Sequence, residues 1–209
     1  MLDKENEVRY FRLLQSHIDP GPLLAEIAAV DNAFMSNCGR QEKIAVQREA
    51  LSIPLRGLRA SAIGGRERRD VHESRWTTGS QRFPLARTFL EQAGEQQGGL
   101  LSRAKLVCLP PGHKVYPHID RGEYYRLRNR YHLVLKSAGS WMRAGDEEVR
   151  MQTGELWWFD NNQIHEACND GNEDRIHLIF DLLPRENFGQ AQASSGVCSV
   201  DIKGTQSHY

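Results

Sequence analysis

The sequence has no excess of charge of either sign. Lysine and arginine together number 27, aspartate and glutamate also number 27, and the formal net charge of the 209 residues is zero. Proteins that bind nucleic acids or anionic membranes usually carry a surplus of basic side chains. The balance therefore argues against both kinds of partner, although it leaves room for a local basic pocket.

Long apolar runs are also missing. A membrane-spanning helix needs about 18 or more apolar residues in succession, and the richest apolar stretch, 176–183, is interrupted by His177 and Asp181. The first fifteen residues are charged from the third onwards and contain no apolar core like that of a signal peptide. The expectation is a soluble, cytoplasmic protein that makes no contact with a membrane.

Cysteine is sparse, and no two cysteines form a CxxC pair. Cys38, Cys108, Cys168 and Cys198 are widely separated, which favours reduced thiols over a disulfide framework or a zinc site. A chain of this length buries enough apolar surface to fold without such crosslinks.

The first hundred residues are predicted to be mostly helix and loop. Their apolar residues lie at helical spacing in short stretches, and an aspartate followed by a proline marks one helix start. The predicted helices are 5–16, Asp19-Pro20 to Phe34, and 84–92. The stretch 39–80 is rich in arginine and glycine and poorly periodic, and 64–70 is predicted to be an exposed loop.

From Leu101 onwards the pattern changes. Short runs of β-forming residues alternate with turn residues at a spacing of roughly 8–12 residues, which is typical of an all-β sandwich or barrel. The predicted organisation is a helical and loop segment over 1–100 packing on a β-barrel core over 101–184. A polar tail or lid follows over 185–209.

A histidine and an aspartate two residues apart stand in one predicted strand. Side chains two apart share a strand face, so His118 and Asp120 can bind one metal ion side by side. His165 is the best candidate for a third ligand from a distant strand. Two imidazoles and a carboxylate on one face of an octahedron are the ligand set of non-haem iron oxygenases. The alternative is that these histidines are hydrogen-bonded structural residues.

An arginine follows ten residues after the last of these candidates. Arg175 begins the final strong strand, and its guanidinium suits bidentate binding of a carboxylate. The alternative is an ordinary surface ion pair, for example with Glu173.

A second basic group stands in the segment RNRYHL. By period 2, Arg128, Arg130 and His132 share a strand face. Three potential cations on one face are unfavourable unless they meet an anion. A solvated face is the alternative, and for Arg128 it is the favoured interpretation.

The run from Leu106 to Leu183 resembles the aspartyl/asparaginyl β-hydroxylase family of Fe(II)- and 2-oxoglutarate-dependent dioxygenases. The matching segments are PPGHKVYPHID, RNRYHLVL, GELWWFDNNQIHE and DRIHLIFD, in that order. The resemblance implies a mainly β fold, a double-stranded β-helix of the jelly-roll or cupin type with N-terminal flanking helices. It also implies catalysis at an iron held by His118 and His165, with Asp120 completing the triad, and O2 and 2-oxoglutarate as cosubstrates.

The resemblance assigns the cosubstrate contacts as well. Arg175 would hold the distal carboxylate of 2-oxoglutarate, with Arg130 and His132 near its metal-binding end, and Gly154 would supply a turn before the WWFD strand. Asp120 departs from some animal members, which lack a carboxylate there, and matches bacterial members such as free-amino-acid hydroxylases.

The expected reaction is hydroxylation of an unactivated C–H bond in an amino acid or in an amino-acid residue of a peptide. Two alternatives remain open, a metal-binding cupin isomerase or lyase and a non-catalytic cupin-fold interaction protein. The sequence assigns no substrate-binding residue and no oligomeric state. Arg56, Arg59 and Trp76 are candidate substrate contacts only because the N-terminal region has to cover the barrel mouth.

Overall fold

The computed structural model of the protein describes residues 9–34, 45–58 and 72–194. Within these ranges the chain forms eleven strands and four α-helices. The strands are β1 (Phe11–Gln15), β2 (Leu51–Gly57), β3 (Arg75–Trp76), β4 (Gly99–Leu109), β5 (Lys114–His118), β6 (Asn129–Lys136), β7 (Trp141–Ala144), β8 (Glu147–Val149), β9 (Leu156–Phe159), β10 (His165–Cys168) and β11 (Arg175–Pro184). The helices are α1 (Gly21–Ala28), α2 (Pro84–Gln96), α3 (Glu123–Arg126) and α4 (Phe188–Ser194).

The strands form two antiparallel sheets. The larger sheet has the order β1-β9-β6-β11-β4-β2-β3, and the smaller has the order β5-β10-β7-β8. Side chains of the two sheets pack together, with Val134 and Phe159 of the larger sheet in one cluster with Met142 and Ala167 of the smaller. This is the predicted mainly β, double-stranded β-helix fold, which is confirmed.

Period-2 alternation sorts the side chains of the central strands onto two faces. On β11, Ile176, Leu178 and Phe180 enter the main core, which also contains buried residues of α2 such as Leu90. The intervening residues of β11 therefore point away from the helices, into the space between the sheets. Because both faces are covered, β11 is buried along nearly its whole length. This alternation lets one strand carry core residues and site residues together.

The predicted helix over 5–16 is wrong in its described part. Residues Phe11–Gln15 form β1, which pairs antiparallel with β9 at the edge of the larger sheet. Only Phe11 is deeply buried, against Phe159, whereas Leu13 is largely exposed. The apolar residues of this short run are spaced as in a helix, but pairing with the edge strand β9 has outweighed that local preference.

The other two helices are present, with different ends. Helix α1 begins where the Asp-Pro signal predicts, and Asp19 Oδ1 accepts a hydrogen bond of 2.9 Å from the amide of Gly21. It ends at Ala28, whereas the prediction extends it to Phe34. Helix α2 runs past the predicted end at 92 to Gln96, and Gly98, with φ of +65°, follows it in the left-handed conformation that ends many helices.

The larger sheet extends beyond the predicted boundary at residue 100. Strands β1, β2 and β3 all belong to it, and β2 pairs directly with β4. At the other end, 185–194 form a short 3-10 turn and α4. The predicted loop at 64–70, Arg59, Cys38, Cys198 and the last fifteen residues lie outside the described ranges. No helix in the described part of the chain is long and apolar enough to cross a membrane.

Gly154 forms the turn before β9. Its φ is +84°, a conformation that glycine adopts at little cost. A Cβ at this position would lie 2.7 Å from the carbonyl oxygen of Ile18. The turn therefore needs glycine for its backbone conformation and for its close approach to the segment after β1.

Candidate metal centre and adjoining cavities

Two strands of the smaller sheet bring the predicted ligands together. His118 ends β5, His165 begins β10, and the two residues are direct partners in the antiparallel pairing. Asp120 follows β5 by two residues. One potential ligand atom from each of the three lies within 4.8 Å of the others. The sequence-predicted triad therefore converges at one point.

The two histidines are oriented by the backbone of their own segments. His118 Nδ1 lies 2.7 Å from the carbonyl oxygen of Tyr116, and His165 Nδ1 lies 2.9 Å from that of Gln163. A carbonyl oxygen only accepts, so each Nδ1 carries the proton and each Nε2 keeps a lone pair for a metal. Burial lowers the pKa of His165 to about 4, which keeps this imidazole neutral at physiological pH.

Asp120 is held as a carboxylate. Burial alone would raise its pKa, but the neighbouring Arg130 guanidinium outweighs burial, and the pKa lies below its usual value. Arg130 forms an ion pair with Oδ2 of Asp120, and the side-chain amide of Asn161 donates to the same oxygen at 3.3 Å. Both contacts use Oδ2, so coordination of a metal through Oδ1 requires neither to break.

Arg130 is shared between two carboxylates. Its Nε donates to Asp181 Oδ1 at 2.8 Å, and its opposite edge pairs with Asp120. The Tyr124 hydroxyl donates to Asp181 at 3.0 Å. Burial would lower the pKa of Arg130, but Asp181 and Asp120 raise it well above its usual value. Arg130 thus positions the acid of the triad, a contact that the sequence analysis did not anticipate.

Asp181 itself was missed at the sequence level, although a signal existed. It lies six residues after Arg175 on the same strand, so period 2 places both on the same face. An acid inside the most apolar run of a chain requires a buried partner. The structure provides that partner in Arg130.

Arg175 lies in a cavity with His118 and His165, and no salt bridge joins it to a carboxylate among the described residues. The cavity, here called the Arg175 cavity, is lined among others by His118, His132, His165 and Arg175. Arg175 is 3% exposed, and burial alone lowers its pKa to about 10. Among the described residues no carboxylate pairs with it, and Glu173 pairs with Lys136 at 3.4 Å. The surface ion pair considered above is therefore wrong.

His132 joins this cavity through a buried pair of histidines. Its Nδ1 lies 3.2 Å from Nδ1 of His177, and both residues are almost fully buried. Burial and then the Arg175 charge lower the pKa of both far below the usual value, so both rings are neutral. One Nδ1 must donate and the other accept. His177 Nε2 is buried and has no hydrogen-bond partner among the described residues.

The unpaired Nε2 of His177 indicates which of the two histidines donates the Nδ1–Nδ1 hydrogen bond. A buried unpaired N–H is rarer than a buried unpaired acceptor, so His177 should carry its proton on Nδ1 and donate to His132. His132 would then present an Nε2–H donor beside Arg175.

We expect long-range proton–nitrogen NMR correlations of the metal-free protein to show His132 protonated at Nε2. In the His177→Leu variant, which lacks the donor to His132 Nδ1, we expect a mixture of the two His132 tautomers. Protonation of His132 at Nδ1 in the wild type would contradict this assignment.

Arg128 does not lie on a solvated face, so the favoured interpretation for it is wrong. It is 5% exposed, and its Nε donates to Ser102 Oγ at 2.8 Å. Its guanidinium also donates to the carbonyl oxygen of Tyr124 at 3.1 Å and stacks over that ring. Arg128 precedes β6 and turns away from the face that Arg130 and His132 share. Its role is structural support for the α3 region.

A second cavity of about 270 Å³ adjoins the first on the Asp120 side. It is here called the Arg103 cavity. The two cavities share lining residues, among them Lys105, Arg130 and Ile179. Arg56, one of the candidate substrate contacts, lines the Arg103 cavity, and its guanidinium stacks on Trp76 at 5.2 Å. The three residues of the triad are thus divided between two adjoining cavities, with Asp120 lining this one and His118 and His165 lining the Arg175 cavity.

Comparison with known proteins identifies the family. The model described as aspartyl/asparaginyl beta-hydroxylase matches residues 67–184, more than half of the chain. The chain belongs to this family. Membership supports a hydroxylase of the dioxygenase type. No curated protein sequence matches the chain significantly.

Solved structures resemble the hydroxylase in fold. A prolyl hydroxylase from Trichoplax adhaerens, in complex with a hypoxia inducible factor peptide fragment, is 14% identical with a TM-score of 0.55, over 88% of this chain and 86% of its own. AviO1 from Streptomyces viridochromogenes Tue57 is 14% identical with a TM-score of 0.48, over 84% and 90%. A viral collagen prolyl hydroxylase from Paramecium Bursaria Chlorella virus-1 is 11% identical with a TM-score of 0.44, over 84% and 96%. The first supports the double-stranded β-helix fold.

Proposed function

We propose that this hydroxylase is Fe(II)- and 2-oxoglutarate-dependent and acts on an unactivated C–H bond of an amino acid or of an amino-acid residue in a peptide. The balanced reaction takes substrate, O2 and 2-oxoglutarate to hydroxylated substrate, succinate and CO2. One oxygen atom of O2 enters the substrate and the other enters succinate.

The donor set fits iron(II). His118 and His165 offer Nε2 lone pairs, and Asp120 offers a carboxylate oxygen, which together form the two-histidine, one-carboxylate set that leaves coordination positions open. A bound iron supplies the means to activate O2. The protein holds the two imidazoles in the tautomer that leaves Nε2 free, and Arg130 keeps Asp120 ionised. The buried strands of the larger sheet limit the access of water to the site.

The buried Arg175 carries the assignment of the cosubstrate. A guanidinium without a carboxylate partner is costly in an apolar interior, and a ligand anion removes that cost. Arg175 lines the same cavity as the two histidine ligands, so an anion bound to it extends towards the metal position. A molecule with a carboxylate at one end and a chelating keto acid at the other satisfies both groups. The isomerase or lyase alternative gives Arg175 no such partner.

Arg130 and His132 enter the proposal in different ways. His132 would donate to the cosubstrate from Nε2, beside Arg175. Arg130 is already paired with two carboxylates. Its main contribution is therefore to orient Asp120, and contact with 2-oxoglutarate is secondary.

The test is spectroscopic and then chemical. Fe(II) and 2-oxoglutarate added under argon are expected to give a weak visible charge-transfer band, because the keto acid chelates the metal. Admission of air is expected to convert 2-oxoglutarate to succinate. Well-folded protein that gives neither the band nor succinate would refute the proposed cofactors.

A further inference from the structure

Arg130 contacts its two carboxylate partners in different ways. Its Nε and Nη2 donate to the two oxygens of Asp181, at 2.8 and 3.2 Å, which is the bidentate arrangement that arginine and carboxylate favour. Asp120 instead receives one nitrogen, Nη1, at its Oδ2. The bidentate partner of Arg130 is therefore the carboxylate that is not a proposed metal ligand.

Asp181 is itself held in place. It is 3% exposed and lies on β11, between β6 and β4 in the larger sheet. Its Oδ2 accepts a hydrogen bond of 3.0 Å from the Tyr124 hydroxyl, which in turn accepts one of 2.9 Å from the backbone amide of Arg103. Burial and then the Asp181 charge raise the pKa of Tyr124 well above its usual value, so the hydroxyl keeps the proton that it donates. A chain of hydrogen bonds thus runs from the β4 backbone through Tyr124 and Asp181 to Arg130.

The ring of Tyr124 is restrained by cations. The guanidinium groups of Arg103 and Arg128 lie 3.7 and 4.2 Å from its centre. Tyr124 is 3% exposed and belongs to α3, which begins three residues after Asp120. Because ring and hydroxyl are both held, the oxygen that Tyr124 presents to Asp181 has a defined position.

The position of Arg130 decides which oxygen of Asp120 is available to a metal. The Nη1 of Arg130 and the side-chain amide of Asn161 both donate to Oδ2, and Oδ1 is left for coordination. Without Asp181, the remaining carboxylate partner of Arg130 among the described residues would be Asp120. The favoured arrangement would then be a bidentate pair across both of its oxygens. Such a pair would cover Oδ1 and compete with the metal ion.

We propose that Asp181 is a positioning residue for the metal centre, because its bidentate pair with Arg130 confines that arginine to one oxygen of Asp120 and keeps the other available to the metal. Tyr124 supports this role by holding Asp181. The inference rests on the part of the proposed function that assigns a metal to the triad. It goes beyond that assignment by giving metal affinity a determinant that is not a ligand.

The first test is Mn(II) binding to full-length Asp181→Asn under argon, without 2-oxoglutarate, followed by the EPR signal of the free ion. An amide keeps one acceptor oxygen but cannot receive both Nε and Nη2 of Arg130. The dissociation constant for Mn(II) is therefore expected to rise by roughly tenfold to a hundredfold. Asp181 also lines the Arg103 cavity, but a role in substrate contact alone would leave this constant unchanged. Wild-type affinity in the folded variant would overturn the proposal.

The second test removes the competing cation as well. The double variant Asp181→Asn/Arg130→Met has the same net charge around Asp120 as the wild type, and its Oδ1 cannot be covered by a guanidinium. It is expected to bind Mn(II) at least about fivefold more tightly than Asp181→Asn alone, which is a non-additive effect. If Asp181 only supported the fold, a second core substitution would weaken binding further. Equal or weaker binding in the double variant would refute the proposed competition.

Tyr124→Phe tests the same chain of contacts without a change of charge. Removal of the hydroxyl leaves Asp181 ionised but less firmly held, so Mn(II) binding should weaken by about threefold to tenfold. This variant decides the question if Asp181→Asn does not fold. Wild-type Mn(II) affinity in Tyr124→Phe would then contradict the proposal.

Glu166→Gln controls for the loss of a negative charge near the triad. Glu166 is the neighbour of His165 in sequence, and it pairs with Arg143 at 3.2 Å rather than with Arg130. Because this pair is partly exposed to solvent, the substitution should change Mn(II) affinity by less than about threefold. A loss as large as that of Asp181→Asn would mean that charge alone acts, and would refute the role given to Arg130.

The outcomes separate this inference from the proposed function, because Mn(II) binding requires neither O2 nor 2-oxoglutarate. A charge-transfer band and succinate formation by the wild type, with unchanged Mn(II) affinity in the variants, contradict the inference alone. The expected Mn(II) affinities, without the band or succinate in the wild type, contradict the proposed cosubstrate alone.

Discussion

Replacing His118 or His165 by alanine is expected to reduce iron-dependent turnover to the background rate. Each substitution removes one of three proposed ligands, whose potential donor atoms lie within 4.8 Å of one another. With one of them gone, the two-histidine, one-carboxylate set that would hold Fe(II) is incomplete. The measurements are iron content after equilibration with Fe(II) under argon, and succinate formed in air.

His113 offers a matched control on the same segment. It is exposed, its Nδ1 lies 2.9 Å from the carbonyl oxygen of Pro111, and it is not part of the triad. His113→Ala should therefore bind iron and turn over as the wild type does. If His118→Ala or His165→Ala kept the iron content and turnover of the wild type, that histidine would not be a metal ligand.

Replacing Arg175 by methionine is expected to have opposite effects on cosubstrate binding and on stability. Loss of one partner of a buried charge pair costs about 2–5 kcal/mol, so the dissociation constant for 2-oxoglutarate should rise by roughly thirtyfold to several thousandfold. The free energy of unfolding of the ligand-free protein should stay the same or increase, because the substitution removes a buried cation that lacks a carboxylate partner. Calorimetry and denaturant titration measure the two quantities.

Two controls sharpen this result. Arg128→Met removes another buried arginine, but one hydrogen-bonded to Ser102 and to the carbonyl oxygen of Tyr124, so it should lower stability and leave 2-oxoglutarate affinity unchanged. 2-Oxopentanoate, which lacks the distal carboxylate, should bind the Arg175→Met variant and the wild type equally. An unchanged dissociation constant for 2-oxoglutarate in Arg175→Met would refute the role assigned to this arginine.

The fold was predictable where strand periodicity and turn residues agree, as they do from β4 to β11. It was not predictable at β1, because the apolar residues of so short a segment fit a helix and an edge strand equally well. Only the partner strand β9 decides between them. Strand β2 was missed for a similar reason, since it lies in an irregular, arginine-rich stretch and gains its order from pairing with β4.

In the candidate site, too, features set by local periodicity were predictable and features set by pairing between strands were not. His118 and Asp120 follow from the period of one strand, and their closeness to His165 follows from the resemblance to the family. The partners in the buried ion pairs could not be predicted from the sequence, because they depend on the register between paired strands. Arg130 meets Asp181 across the β6–β11 pairing, and the sequence alone does not fix which residues face each other there. The Arg103 cavity likewise combines residues from β2, β4 and α3.

Each of the two proposed ligand histidines is anchored by a carbonyl oxygen two residues earlier in its own segment, at Tyr116 for His118 and at Gln163 for His165. A backbone acceptor is supplied by every residue type, so these anchors do not depend on the identity of any side chain. The orientation of both imidazoles is thus insulated from mutation elsewhere in the barrel. Side chains that line the two cavities can therefore change while the orientation of the two imidazoles is kept.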